Sequence, residues 1–248
     1  MNVSLFQAAA AMSANARWQE AISENLASAS IPGFKKQDLS FEAVRSGMMS
    51  QAQLDPNVQF TFPQAKSATN FSQGQLRATG VNTDVAIEGK GFFEVQMPDG
   101  SKAYTRDGEF HLNASGQLTT KQGHLVLGDG GPIQVDQNLG GMVSISATGE
   151  VSQGEEVRGK LKVMDFEQPK QLTQISGGYF TTGTTNLQAT QVPQPSLRQG
   201  YLEGANTSPM AEMASLIGVM RGFEANQRLM QIHDERMGRA ISELGNPT

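Results

Sequence analysis

The chain has 248 residues and a mass of 26.6 kDa, with 19 basic against 24 acidic side chains, a net charge of −5 and no cysteine. The acidic balance argues against nucleic-acid binding, which needs a basic footprint, and the missing thiols exclude a disulfide framework, a thiolate zinc site and a cysteine nucleophile. Length allows one or two domains; there is no run of ~18 apolar residues for a membrane span, and no basic segment ahead of the first apolar stretch, so no cleaved secretory signal is expected.

Residues 2–30 read as one helix. Asn2 and Ser4 are candidate caps, and Ala8 to Ala11, Ala14 and Ala16 give high helix propensity. A heptad placed on Leu5 and Ala8 continues through Met12, Asn15, Gln19, Ile22, Leu26 and Ala29, apolar at six of these eight positions. Ile31-Pro32-Gly33 stops the helix, because proline disfavours helical geometry in the residue before it. Residues 32–80 are expected to be an extended connector. Phe34, Leu39 and Phe41 give way there to a polar, glutamine-rich stretch with Pro56 and Pro63 and no sustained period. Such a stretch either carries short strands or orders only on assembly.

Residues 81–200 read as an all-β domain. Val85 and Ile87 alternate; Phe93, Val95 and Met97 face one way, with Glu94 and Gln96 the other. Turn signals follow at short spacing: Pro98-Asp99-Gly100, Asn113-Ala114-Ser115-Gly116, Gly128-Asp129-Gly130-Gly131 and Thr148-Gly149. Between them Phe110 and Leu112, Leu125 and Leu127, Val143 and Ile145, and Leu161 and Val163 alternate. This rhythm belongs to sandwiches and barrels.

Residues 201–248 form the C-terminal segment, with a helix expected over 209–244. Pro209 suits a first helical turn, behind Asn206, Thr207 and Ser208 as cap candidates. Leu216, Phe223, Met230, Met237 and Leu244 recur every seven residues, and Met213, Met220, Gln227, Asp234 and Ile241 form the companion row. Eight of these ten positions are apolar, a coiled-coil pattern. The fold class is therefore α+β: terminal helices (1–31 and 201–248) pairing as a coiled coil, a connector (32–80) and a central β-domain (81–200). Asn15, Gln19, Gln227 and Asp234 are costly as plain core residues and are expected to fix register or bond between subunits. The apolar residues left over, Phe6, Trp18, Met210, Ile217, Leu229 and Ile232, are available to neighbours.

Four ordered blocks carry a family resemblance. Asn25-Leu26-Ala27, followed by Gly33-Phe34-Lys35, is similar to the Asn-Leu-Ala-Asn-x-x-Thr-x-Gly-Phe-Lys signature of the rod, hook and basal-body axial proteins of the bacterial flagellum. Asn82 to Phe93 and Tyr104-Thr105-Arg106-Asp107-Gly108-Glu109-Phe110 resemble the family's middle blocks. Gly200-Tyr201-Leu202-Glu203-Gly204-Ala205-Asn206, then Glu212-Met213 and Arg221 to Asn226, resemble its C-terminal signature, with Gly222 where the family usually has alanine. The single β-domain without a long insertion looks more like a rod protein than a hook protein.

The resemblance implies a structural subunit exported unfolded by the flagellar type III apparatus. Its terminal helices would form the inner tube of a rod crossing the periplasm, and its partners would be itself and other rod or hook subunits. No nucleic acid, membrane insertion, small-molecule substrate or cofactor is implied. A hook-like protein, or a secreted hydrolase or carbohydrate-binding β-domain with helical oligomerisation ends, are the alternatives.

Enzymatic signatures are weak. Gly154 to Lys160 fits G-x-x-x-x-G-K, but Leu161 stands where the magnesium-binding hydroxyl belongs, so a β-turn is expected. His111, His124 and His233 lack metal-ligand spacing. Asp84, Glu88, Glu94, Asp99, Asp107 and Glu109 alternate with turn glycines and are expected on a solvated face. Asn113-Ala114-Ser115, a formal glycosylation sequon, reads as a turn.

Overall fold

The computed structural model describes residues 3–45, 61–136, 142–183 and 187–245. Residues 46–60 of the expected connector lie outside these, as do the side chains of Leu5, Phe6 and Leu244. The chain divides into two compact units: Met1–Leu26, Gln37–Ala68 and Pro209–Thr248 form one, Ala27–Lys36 and Thr69–Ser208 the other.

The first unit contains helix α1 (Val3–Ala27), helix α2 (Pro209–Gly245) and a two-stranded sheet of Gln37–Arg45 with Thr61–Thr69. At 1.5 Å per residue the 37 residues of α2 span about 55 Å. Helix α1 ends three residues before the expected Ser30. The chain turns there, with the Ile31 amide donating to the Ser28 carbonyl at 3.0 Å, so Ala29 lies beyond the helix. Asn25 joins α1 to the strand that follows. Its side-chain amide donates to the Gln37 carbonyl (3.0 Å) and its Oδ1 accepts from the Gln37 amide (2.8 Å), as a neighbouring strand would. Asn25 is buried, which the reciprocal pair makes tolerable.

The second unit is antiparallel β-structure. Its ten-stranded sheet runs Thr173–Ile175, Tyr179–Thr181, Lys102–Thr105, Phe92–Gln96, Leu125–Gly128, Leu118–Thr120, Phe110–Leu112, with three further strands branching from it. The branch point is the strand Phe92–Gln96. Its first half also pairs with Val163–Phe166, and its second half with Leu125–Gly128. The strand is therefore paired along both edges, and its two faces look into separate cores. Phe93 and Val95 enter the main core with Val85, Ile87, Phe110, Leu118 and Leu161. Phe92 enters a second core with Tyr104, Phe166 and Phe180, whose rings meet edge-on or tilted at centroid distances of 4.8–5.9 Å.

The turn residues act as their chemistry dictates. Gly100 and Gly116 have positive φ, and Asn113 Oδ1 accepts from the amides of Ser115 and Gln117, so the sequon is a turn. Gly154 to Lys160 is the hairpin leading out of Glu150–Gln153 and forms the third strand of a meander, not a phosphate loop.

The pairings without a sequence forecast lie near the end of the unit. Leu197–Gln199 pairs with Val85–Ile87, and Tyr201–Glu203 pairs with Leu76–Ala78. These short ladders bring the start and the end of the second unit together.

Candidate functional site

Residues from all four resembling blocks meet in the second unit. Gly33 has φ +69°, and a Cβ added there would lie 2.3 Å from the backbone carbon of Arg106. Only glycine lets the two segments touch so closely. The Gly33 amide donates to the Glu203 carbonyl at 2.7 Å, and the Asn206 amide to the Phe34 carbonyl at 3.2 Å. Phe34 is buried beside them in sequence.

This backbone contact places Lys35, Arg106 and Glu203 in one buried ionic cluster. Lys35 Nζ donates to Glu203 Oε1 at 2.5 Å and to the Ser72 carbonyl at 2.8 Å. Arg106 donates to Glu203 Oε2 at 3.2 Å and to the Gly89 carbonyl at 2.7 Å, with its guanidinium 5.3 Å from the centre of the Phe92 ring. The Gly74 amide is a further donor to Glu203 Oε1. Both side chains of the Lys35–Glu203 pair are wholly inaccessible to solvent. Burial pulls Lys35 below its ordinary pKa, opposed by the Glu203 carboxylate; the same two effects act on Arg106. One carboxylate thus serves two buried cations.

Asn206 completes the junction. Its Oδ1 accepts from the Lys36 amide (2.7 Å), and its Nδ2 donates to the carbonyls of Asn70 (2.7 Å) and Ser72 (3.0 Å). It was a cap candidate for α2; its side chain is instead held by these three backbone partners. A cavity of about 290 Å³ adjoins the junction, lined by Ile31, Pro32, Arg77, Leu202 and Glu203 among others.

The expected solvated carboxylate face is corrected. Asp84, Glu94 and Asp107 are buried. Glu94 is balanced by Lys102 (3.0 Å) and Lys162 (3.2 Å). Among the described residues Asp107 has no such cation in contact: its Oδ1 accepts from the Glu109 amide, and burial pushes its pKa up to about 6. Glu88 is exposed and takes a two-pronged bond from Arg198. His111 and His233 are exposed and half-buried, and His124 packs edge-on against Tyr179. Among the described residues, no group of three or more His, Asp or Glu is placed to hold a metal ion. No described helix is long and apolar enough to cross a membrane.

In the first unit the proposed seam residues have different surroundings. On α1, Ala8 and Ile22 are buried, Met12, Asn15 and Leu26 half-buried, and Gln19 exposed. Ala14 and Ala21, outside the chosen seam, are also buried. On α2, Leu216, Phe223 and Met230 are half-buried and Val219 is buried, whereas Met213, Met220, Gln227, Asp234, Met237 and Ile241 are exposed. Met210, Ile217, Leu229 and Ile232 are exposed too, and Trp18 is half-buried. The two helices approach at Gly222, where an added Cβ would lie 3.4 Å from Asn15 Nδ2. Asn15 alone of the four polar seam residues is only partly open; Gln19, Gln227 and Asp234 face solvent in the single chain.

Arg106, Glu203 and Asn206 appear in the resembling blocks, but nothing in their spacing announced an ionic cluster. The one available signal was the Gly-Phe-Lys block, which placed a lysine beside a conformationally special glycine.

Comparison with known proteins agrees with this layout. Residues 86–153 match the flagellar hook protein FlgE/F/G D1 domain, and residues 198–243 match the flagellar basal body rod FlgEFG protein C-terminal model. The chain is 34% identical to the flagellar basal-body rod protein FlgF of Caulobacter vibrioides, with 90% of each chain covered. It is 33% identical to FlgG of Buchnera aphidicola subsp. Schizaphis graminum (90% of this chain, 92% of the relative) and 32% identical to FlgF of Salmonella typhimurium (97% of each). With matches of this identity running over nearly its whole length, the chain belongs to the flagellar basal-body rod protein family.

Proposed function

We infer that the chain is a structural, non-enzymatic subunit of the bacterial flagellar basal-body rod. The observation that carries this is the chain-long relation to FlgF and FlgG rod proteins. The finer reading is that α1 and α2 pair as a coiled coil and line an inner tube, and that the rod passes torque toward the hook. The exposed apolar rows of α2 support it, since large apolar surface left open on one subunit marks a contact with another. Head-to-tail contacts that do not close produce helical filaments. The partners are further copies of the chain and other rod or hook subunits. Delivery is by the flagellar type III export apparatus without a cleaved signal peptide, to a site crossing the periplasm. Nucleic acid, membrane insertion and small-molecule substrates have no part in this reading.

The test is deletion of the gene in its own organism, with basal bodies imaged after purification. Cells lacking the chain are expected to be non-motile, with incomplete rods. The wild-type gene restores both properties; a Met213→Glu/Met220→Glu variant, folded by circular dichroism, does not. Complete rods in the deletion strain would refute the assignment.

A further inference from the structure

Helix α2 carries a short apolar row in its first three turns: Met210, Met213, Ile217 and Met220, spaced 3-4-3 and 83%, 50%, 53% and 47% exposed. Three of the four are methionines. The thioether is the softest group on this surface, and the chain has no cysteine whose thiolate would consume an oxidant first. Met164, by contrast, is buried in the aromatic core of the second unit.

We propose that Met210, Met213 and Met220 are sites of reversible sulfur oxidation by peroxide, and that their oxidation holds the subunit out of assembly. The second half of this statement rests on the assembly reading given above; the first half does not. In the step itself a sulfur lone pair attacks one oxygen of hydrogen peroxide. The O–O bond breaks, the S–O bond forms, and the remaining oxygen leaves as water after proton transfer. Sulfur is oxidised by two electrons and the peroxide is reduced by two. The product places a strong hydrogen-bond acceptor on a face that otherwise offers only hydrocarbon and thioether. Burying that acceptor against an apolar neighbour without a donor is unfavourable. Once the row is covered in a polymer, the sulfurs are shielded, so the sensitivity belongs to the free subunit. A methionine sulfoxide reductase with a dithiol reductant reverses the step. Met142, 77% exposed on the β-unit, supplies an internal control, because it is as open as the row but lies on a different element.

The experiment treats the purified full-length chain with hydrogen peroxide, maps the oxidised positions by mass spectrometry and follows polymerisation by sedimentation. Met210, Met213, Met220 and Met142 are expected to gain one oxygen each well before Met164. Polymerisation is expected to fall about tenfold or more and to recover after reductase treatment. The peroxide response of the Met210→Leu/Met213→Leu/Met220→Leu variant, read against its own untreated level, is expected to disappear, whereas Met142→Leu polymerises and remains sensitive. Oxidised wild-type chain that polymerises like the untreated chain would overturn the proposal, as would a triple variant as sensitive as wild type. An untreated chain that forms no polymer overturns the assembly reading instead; oxidation of Met164 as fast as Met213 then overturns the modification claim separately.

Discussion

Replacing Glu203 by glutamine removes half the logic of the buried junction while leaving its shape nearly unchanged. The amide keeps one oxygen to accept from Lys35 or the Gly74 amide, but the negative charge facing Lys35 and Arg106 disappears. Two cations are then buried without a counter-charge in contact. Breaking a buried ion pair by removing one partner costs about 3–5 kcal/mol. With a urea m-value of about 2 kcal/mol/M, the midpoint of unfolding should fall by roughly 1.5–2.5 M. Losing the carboxylate also pushes Lys35 further below its ordinary pKa. A lysine with a depressed folded pKa binds fewer protons folded than unfolded, so the variant should regain stability as pH rises toward the ordinary lysine range. The assay is urea unfolding of the full chain between pH 7 and 9.5, followed by circular dichroism in the far and near ultraviolet, the latter reporting Tyr104, Tyr179 and Tyr201 of the second unit. The Lys35→Met/Glu203→Gln double variant should be more stable than the sum of the two single variants implies, with a coupling above about 1 kcal/mol. A loss below about 1 kcal/mol for Glu203→Gln at pH 7, or additive single variants, would refute the claim that the carboxylate compensates both cations.

Three further outcomes follow from the same geometry. Asp107→Asn should stabilise the chain by about 3 kcal/mol at pH 7, because a folded pKa raised from 3.8 to about 6 penalises the ionised form above pH 6; the gain should vanish below about pH 4, where the wild-type carboxyl is protonated in both states. Gly33→Ala should cost about 3 kcal/mol or more in thermal or urea unfolding, since the methyl would strike the Arg106 backbone in a positive-φ conformation. Gly222→Ala should raise stability by about 1 kcal/mol through helix propensity alone. The added Cβ meets Asn15 Nδ2 at 3.4 Å, and a fall in the melting temperature would show that the methyl forces the two helices apart there.

Where the sequence carried a period, it foretold the structure closely. Helix α2 runs Pro209–Gly245 against an expected 209–244, because an unbroken seven-residue repeat behind a proline has one interpretation. The face of that helix was harder to read. Val219 is the covered position and Met213 and Met220 are open, since a repeat gives the spacing of a stripe but not which neighbour covers it. In the two-stranded sheet of Gln37–Arg45 with Thr61–Thr69, the alternation of Leu39 and Phe41 is too brief to name a partner strand, and the three-residue strands at 76–78 and 201–203 are too short to have a period at all. Asp84, Glu94 and Asp107 were misplaced at the surface because their burial depends on cations and backbone donors supplied by other segments, such as Lys162 opposite Glu94. The cluster of Lys35, Arg106 and Glu203 was invisible for the same reason: its members come from three distant segments of the chain that meet only in space.

That cluster also sets an order of events. Lys35 and Glu203 are 168 residues apart, and the strand carrying Glu203 can complete the ladder with Leu76–Ala78 only after all the residues between them have been made. At roughly 5–20 residues per second of synthesis, about 10–30 s pass between the emergence of the lysine and that of its counter-ion. Throughout that interval the second unit has no means of locking its first segment to its last. The chain therefore has a built-in delay before its final latch can engage, and the length of that delay is set by the separation of one glutamate from its lysine.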